Sequence, residues 1–311
     1  MTTGVLLMTY GAPRDERDVP AYLARVRGGR TPSDEVVAEI ARRYRVIGGS
    51  PLVRVTRAQA TALGHELGQG YRVRAAMRFS APTVRDAVQD LAGEVDALVG
   101  VVLSPQWSDQ LMSGYRRALE EAAAESGLPW HLTEAWYEEP LFIGLIAALI
   151  REARAPLERP AILLTAHSIP RRVHDTEPGY VEQLRRTADL VARAAGLAAD
   201  DWHFAFQSAG HTQEEWLRPD LVELFPGIAA GGARNILIVP IQFLADHLEV
   251  LYDLDVAARA QAEAAGLEYH RIAMPNDRPE LARALASVVR RGVSFASAPI
   301  LRAWPRSPQA P

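Results

Sequence analysis

Two residues of this chain have the type and setting for proton or metal chemistry, and each lies where an apolar run gives way to a turn. His167 closes the run Ala161-Ile-Leu-Leu-Thr-Ala-His167 just before Ser-Ile-Pro170, and Glu249 follows the run that opens Asn235-Ile-Leu-Ile-Val-Pro240. A neutral imidazole accepts a proton near neutral pH, and imidazole with carboxylate suits first-row metal ions. A bland reading stands beside each. His167 serves equally as a histidine that ties a loop together. Asp246 lies three residues before Glu249, which is the spacing of a helix capping box. Against that, Glu249 and Asp253 are four apart and share a helix face, so two carboxylates would line one polar track for protons or cations. Tyr10 ends the first apolar run beside Gly11 and Pro13, either as a core aromatic or as a ring for a flat ligand. Arg43, Tyr44, Gly48, Gly49 and Ser50 read as a helix end with a glycine cap, or as a cation and hydroxyls that hold carboxylates. His65, His131, His174, His203 and His270 belong to no visible constellation. His211 and His247 flank the informative segments and are not taken as candidates.

The elements that must position these residues alternate along the chain. Apolar runs predict strands at Gly4–Tyr10, Tyr71–Phe79, Ala97–Leu103, His131–Trp136, Ala161–His167, Trp202–Gln207, Asn235–Phe243 and Glu268–Ala273. Helical periodicity falls at Ser33–Tyr44, Arg54–Leu67, Thr83–Ala92, Gly114–Glu125, Pro178–Ala195, His247–Ala265 and Pro279–Val289. Strands rich in Val, Ile and Leu without strict alternation imply parallel sheets covered by helices on both faces. The class is therefore α/β, with right-handed crossovers. Ligands of such sheets bind at the carboxyl ends of the strands, where His167, Glu249 and Tyr10 all fall. The charged, proline-bearing stretch Arg151–Pro160 divides the series, which predicts domains at 1–155 and 156–293. The last helix is expected to pack back on the first domain, and residues 294–311 read as a tail.

Composition removes several function classes. With no cysteine there is no disulfide, thiolate nucleophile or cysteine-held iron–sulfur or zinc site. A net charge of −4 gives no electrostatic footprint for nucleic acid. No basic signal-peptide start precedes the first apolar residues, and no apolar stretch reaches the ~20 residues that span a bilayer. A cytoplasmic monomer is expected. Neither G-x-G-x-x-G nor G-x-x-x-x-G-K-[ST] follows the first strand, and no G-x-S-x-G elbow is present. Function must come from the site.

Four segments carry a resemblance over nearly the whole chain: Thr165-Ala-His-Ser-Ile-Pro170, Phe206-Gln-Ser-Ala-Gly210 with its continuation to Asp220, Ala245-Asp-His-Leu-Glu-Val-Leu-Tyr-Asp253, and Met274-Pro-Asn276. Together they resemble the ferrochelatase family, whose members insert ferrous iron into a porphyrin. Met8-Thr-Tyr-Gly-Ala-Pro13 resembles the branch that uses coproporphyrin III rather than protoporphyrin IX. The resemblance implies two Rossmann-like domains around a cleft, chelatase-like and without a nucleotide. It implies that His167 and Glu249 act on one face of the macrocycle as catalytic and metal-contacting residues, and that Tyr10 meets the product iron on the other. By the same resemblance Arg27, Arg43, Tyr44, Ser50 and Tyr115 hold the porphyrin or its propionates, while Asp253 relays protons or cations. The partners implied are coproporphyrin III and Fe2+, with transient contact to neighbouring haem-pathway enzymes and no cofactor beyond the substrate iron. Relatives usually have one more residue between Gly49 and Ser50 and a hydroxyl residue at Ala12. Ala257 and Phe79 replace an acidic residue and a histidine, so the resemblance does not extend to a second, outer metal site.

Overall fold

The computed structural model describes residues 1–210 and 214–296. Strands β1 (Thr3–Thr9), β2 (Tyr71–Met77), β3 (Ala97–Val102) and β4 (Trp130–Thr133) form a parallel sheet in the order β2-β1-β3-β4. Strands β5 (Ala161–His167), β6 (Trp202–Gln207), β7 (Asn235–Pro240) and β8 (Glu268–Arg271) form a second parallel sheet in the order β6-β5-β7-β8. The two sheets share one topology, and β1 and β5 occupy equivalent places. Every residue of β3 and β7 is buried, which is why their sequences run apolar without alternation. The edge strands β4 and β8 are only partly covered.

The helices are α1 (Val19–Val26), α2 (Asp34–Val46), α3 (Leu52–Leu67), α4 (Val84–Leu91), α5 (Asp109–Ser126), α6 (Pro140–Arg154), α7 (Arg171–Thr176), α8 (Pro178–Ala195), α9 (Leu221–Ala230), α10 (Arg259–Ala264) and α11 (Pro279–Ala296), with a π-helix over Glu249–Ala258 that runs directly into α10. Local chemistry sets their ends. Thr83 and Asp86 form a reciprocal capping box on α4, and α5 starts at Ser108, whose hydroxyl accepts from Leu111, and stops at left-handed Gly127.

The sequence reading omitted α1, α6, α7 and α9. Helix α6, Pro-Leu-Phe-Ile-Gly-Leu-Ile-Ala-Ala-Leu-Ile, is apolar around most of its circumference, so it lacks the one-sided period that betrays a surface helix. It packs against α8, α11 and β7, and its exposed positions include the apolar or small Leu141, Gly144 and Ala148. Phe142, Ile146 and Ile150 share one core with Val5 and Leu7 of β1, Ile162 and Leu164 of β5, and Leu237 and Val239 of β7. Helix α9 carries Pro226 inside it, which conceals the helix from a pattern search.

The stretch read as an inter-domain connection is, through Arg154, the last turn of α6, and residues 155–160 alone lead into β5. Helix α11 packs against α3, α6, β3 and β4. It continues to Ala296, past the point where the tail was expected to begin. The rest of that tail lies outside the described residues, as does His211. In a 2-1-3-4 order the chain reverses direction across the sheet beside the first strand, which opens a crevice at that strand's carboxyl end. The two sheets therefore deliver Tyr10 (after β1) and His167 (at the end of β5) from matching crevices.

Candidate active site

His167 is held at both its backbone and its ring. Its N–H donates to Gln242 Oε1 at 2.9 Å, and Gln242 Nε2 donates to the buried Tyr180 hydroxyl at 2.5 Å. Nδ1 lies 2.5 Å from the carbonyl of Ser168. A carbonyl only accepts, so the neutral ring carries its proton on Nδ1 and leaves the Nε2 lone pair free. That nitrogen faces Glu249 Oε1 at 3.7 Å.

Glu249 opens the π-helix, a form with i→i+5 hydrogen bonds that recurs at functional sites. The capping-box expectation is corrected here. Asp246 does not cap the helix; its carboxylate accepts from Asn276 and Arg271 instead. Glu249 is thereby left to face the cleft. His247, passed over in the sequence, stands on its other side with Nε2 3.6 Å from Oε2. Partial burial alone would raise the Glu249 carboxyl, but the His167 and His247 imidazoles outweigh it and bring it from 4.5 down to about 2. Ligand bonds of roughly 2.0–2.2 Å let a single ion touch His167 Nε2 and Glu249 Oε1 together. Among the described residues, no group of three or more His, Asp or Glu side chains is arranged to hold a metal ion.

Asp253, one turn further, behaves oppositely. Burial and the Glu249 charge lift its carboxyl, against the opposing pull of Ser208, Arg43 and His167. Two carboxylates four residues apart therefore differ in proton affinity, Glu249 lowered and Asp253 raised.

The facing wall comes from the first sheet. Tyr10 remains 43% exposed, with its ring edge-on to Phe79 at 4.6 Å. Burial and the Glu249 charge raise its hydroxyl, against the opposing pull of Arg78. Tyr44 and Tyr22 lie behind it and sense Glu249 as well; Tyr22 donates to the carbonyl of Gly11 at 3.0 Å. Tyr115 is buried beneath Arg78, whose guanidinium sits 4.7 Å from the Phe79 ring centre and 5.4 Å from that of Tyr115. Gly114 makes room for it, since a Cβ there would fall 2.0 Å from Arg78 Nη2. Tyr22 and Arg78 were not singled out from sequence. The helix-interior Gly114 beside Tyr115 was the one local signal for the second.

Arg43 reaches across to Asp253 at 3.3 Å and back to Glu39 at 2.7 Å, with its guanidinium 5.0 Å from the Tyr252 ring centre. Arg42 donates to the Tyr252 hydroxyl. Helix α2 thus latches onto the π-helix at the rim. Ser50 accepts from Leu52 N–H at 3.3 Å, holding the start of α3. Arg27 is exposed at the end of α1, and no hydrogen bond or ion pair joins it to Tyr10, His167 or Glu249.

Comparison with known proteins places the chain in a family. The family model described as Ferrochelatase matches residues 2–293. A protein named coproporphyrin III ferrochelatase from Anoxybacillus flavithermus is 36% identical, covering 92% of this chain and 95% of its own. One named ferrochelatase from Herpetosiphon aurantiacus is 35% identical, covering 92% and 98%. Among solved structures, SirB from Bacillus subtilis with Fe3+ superposes with a TM-score of 0.57 over 95% of this chain and 97% of its own, at 11% identity, a likeness of fold alone. No described helix is long and apolar enough to cross a membrane.

Proposed function

The chain belongs to the ferrochelatase family, and from that premise we propose that it inserts Fe2+ into coproporphyrin III in haem biosynthesis, giving Fe-coproporphyrin III and two protons. The observation that carries this reading is the His167 Nε2–Glu249 Oε1 pair, 3.7 Å apart. Relatives that share 34–36% identity with this chain and are named for coproporphyrin III support the choice of porphyrin.

A free porphyrin keeps two N–H protons at its centre, and iron enters only as they leave. The macrocycle lies between the walls, with Tyr10 against one face and His167 and Glu249 against the other. His167 Nε2 accepts a pyrrole proton, its ring steadied through Nδ1. Glu249, ionised throughout the neutral range, supplies the negative charge that draws Fe2+ to the ring centre. Asp253 takes up released protons and passes them towards the rim. Insertion is fastest if the walls favour the bent macrocycle over the flat one, because only interactions stronger in the transition state accelerate a step.

Four propionates make the substrate anionic. Arg27, Arg43, Tyr44, Ser50 and Tyr115 receive the porphyrin and its propionates, and an incoming propionate competes with Asp253 for Arg43. Exposed ion pairs contribute only about 0–1 kcal/mol each, so macrocycle burial supplies most of the affinity. The proposed enzyme acts in the cytoplasm as a monomer, needs no cofactor beyond its substrate iron, and passes its product to a neighbouring haem-pathway enzyme.

Anaerobic Fe2+ insertion by the purified protein, followed by absorbance with coproporphyrin III and protoporphyrin IX side by side, tests this. Preference for coproporphyrin III is expected. Preference for protoporphyrin IX overturns the substrate, and tight binding of both without insertion of any metal makes the protein a carrier.

A further inference from the structure

Asn276 sits in the turn between β8 and α11, behind the cleft. Its φ of +45° is a left-handed conformation that asparagine adopts at some cost. Both ends of its side chain grip one residue: Oδ1 accepts from Asp246 N–H at 2.9 Å, and Nδ2 donates to Asp246 Oδ2 at 2.7 Å. Its own N–H donates to the carbonyl of Leu244 at 2.9 Å. From the first half of the chain, Gln59 Nε2 donates to the carbonyls of Asn276 (2.8 Å) and Leu244 (3.3 Å), while Leu52 and Val55 pack on Ala245. On the far side Asp246 Oδ1 meets Arg271 at 3.4 Å, and Arg271 holds Asp255 of the π-helix at 2.8 and 2.7 Å.

Residues 244–246 are thus fixed from three directions immediately before His247 and Glu249. We propose that Asn276 is a positioning residue for the insertion reaction: by clamping Asp246 it sets where the π-helix begins, and so keeps His247 and Glu249 aimed at His167. The role rests on the reaction proposed above. Satisfied bidentate contact explains why a strained non-glycine residue occupies this turn, since glycine would relieve the backbone but release Asp246.

Two variants separate aim from folding. Asn276→Gly keeps the left-handed backbone accessible and deletes the amide. Asn276→Asp keeps the shape but sets a second carboxylate against Asp246, among Arg271, Asp255, Arg278 and the exposed Asp277. Close carboxylates cannot both ionise easily, so a shared proton restores the bridge at lower pH and is lost as pH rises. The expected result for Asn276→Gly is a fall in kcat of about tenfold or more with porphyrin KM within about threefold, the split that marks an interaction needed in the transition state. For Asn276→Asp the deficit against the unsubstituted protein should widen with rising pH. A kcat within about twofold for both variants, a change confined to KM, or a pH-independent deficit in Asn276→Asp would overturn the role. Should Asn276→Gly not fold, the pH dependence of Asn276→Asp decides alone. Amide exchange over residues 244–255 should accelerate in either variant, and unchanged exchange refutes the clamp even if the unsubstituted protein inserts no metal. That last outcome would sink the reaction and not the clamp.

Discussion

Replacing Glu249 by Gln removes one negative charge and little else, and its effects can be worked from the geometry. The carboxylate faces His167 Nε2 at 3.7 Å and His247 Nε2 at 3.6 Å. Unit charges at such separations attract by roughly 1 kcal/mol in bulk water and roughly 4–5 kcal/mol at an effective dielectric near 20. The Glu249 side chain is 38% exposed, which favours the watery end of that range. The carboxyl's fall from 4.5 to about 2 corresponds to roughly 3 kcal/mol before screening, and discounting it for solvent exposure leaves roughly 1–2 kcal/mol. The two routes converge. Because the folded carboxyl is depressed, this stability is present above 4.5 and is lost as pH falls through the folded value. The protein should therefore melt about 2–4 °C above Glu249→Gln near pH 6, and the gap should shrink to about half near pH 3, closing only as pH falls below the folded value of about 2. Insertion should fall by roughly 10²–10³ in kcat, with porphyrin KM little changed. Calorimetry at the two pH values and anaerobic insertion kinetics provide the readouts. An equal melting gap at both pH values would refute the electrostatic argument, and turnover within about threefold of the unsubstituted protein would refute the catalytic one.

His167→Ala should abolish insertion while porphyrin still quenches intrinsic fluorescence with near-normal affinity; full activity would remove His167 from the reaction. Asp253→Asn should melt higher at neutral pH. Burial raises the Asp253 carboxyl from 3.8 in the folded state, so the native state binds the proton more tightly and stability declines as pH rises from that value. The same variant should insert iron about tenfold more slowly, less than a direct base would cost because water can substitute for a relay. In β3, Gly100→Ala would set a Cβ 2.7 Å from Leu119 Cδ2 and 3.0 Å from Leu132 Cδ1 and Met8 Sδ. Denaturant titration should show about 1–3 kcal/mol of overpacking, and kcat should stay unchanged because the contact lies in the core.

Much of this was legible in the residues. Runs such as Asn235-Ile-Leu-Ile-Val-Pro240 announced strands buried on both faces, and their ends located His167 and Glu249. The end of the first run offered Tyr10, and the family resemblance added Tyr115. What stayed hidden has physical reasons. Helix α6 shows no polar stripe over its first turns because its exposed positions there are Leu141, Gly144 and Ala148. Asp246 looked like a cap because Asn276 and Arg271, its true partners, lie 30 and 25 residues away. His247 looked incidental until its imidazole stood beside the carboxylate two residues on.

By itself the sequence determined the α/β class, the strand ends that carry reactive groups, and the absence of any cysteine chemistry. Those follow from local composition and period, which neighbouring residues encode. Only the tertiary structure decided which groups meet: His167 and His247 on either side of Glu249, and Arg43 joined to Asp253 across 210 residues of chain. These meetings depend on two sheets with the same strand order turning matching crevices towards one cleft, and that order is set by long-range packing that no local pattern records.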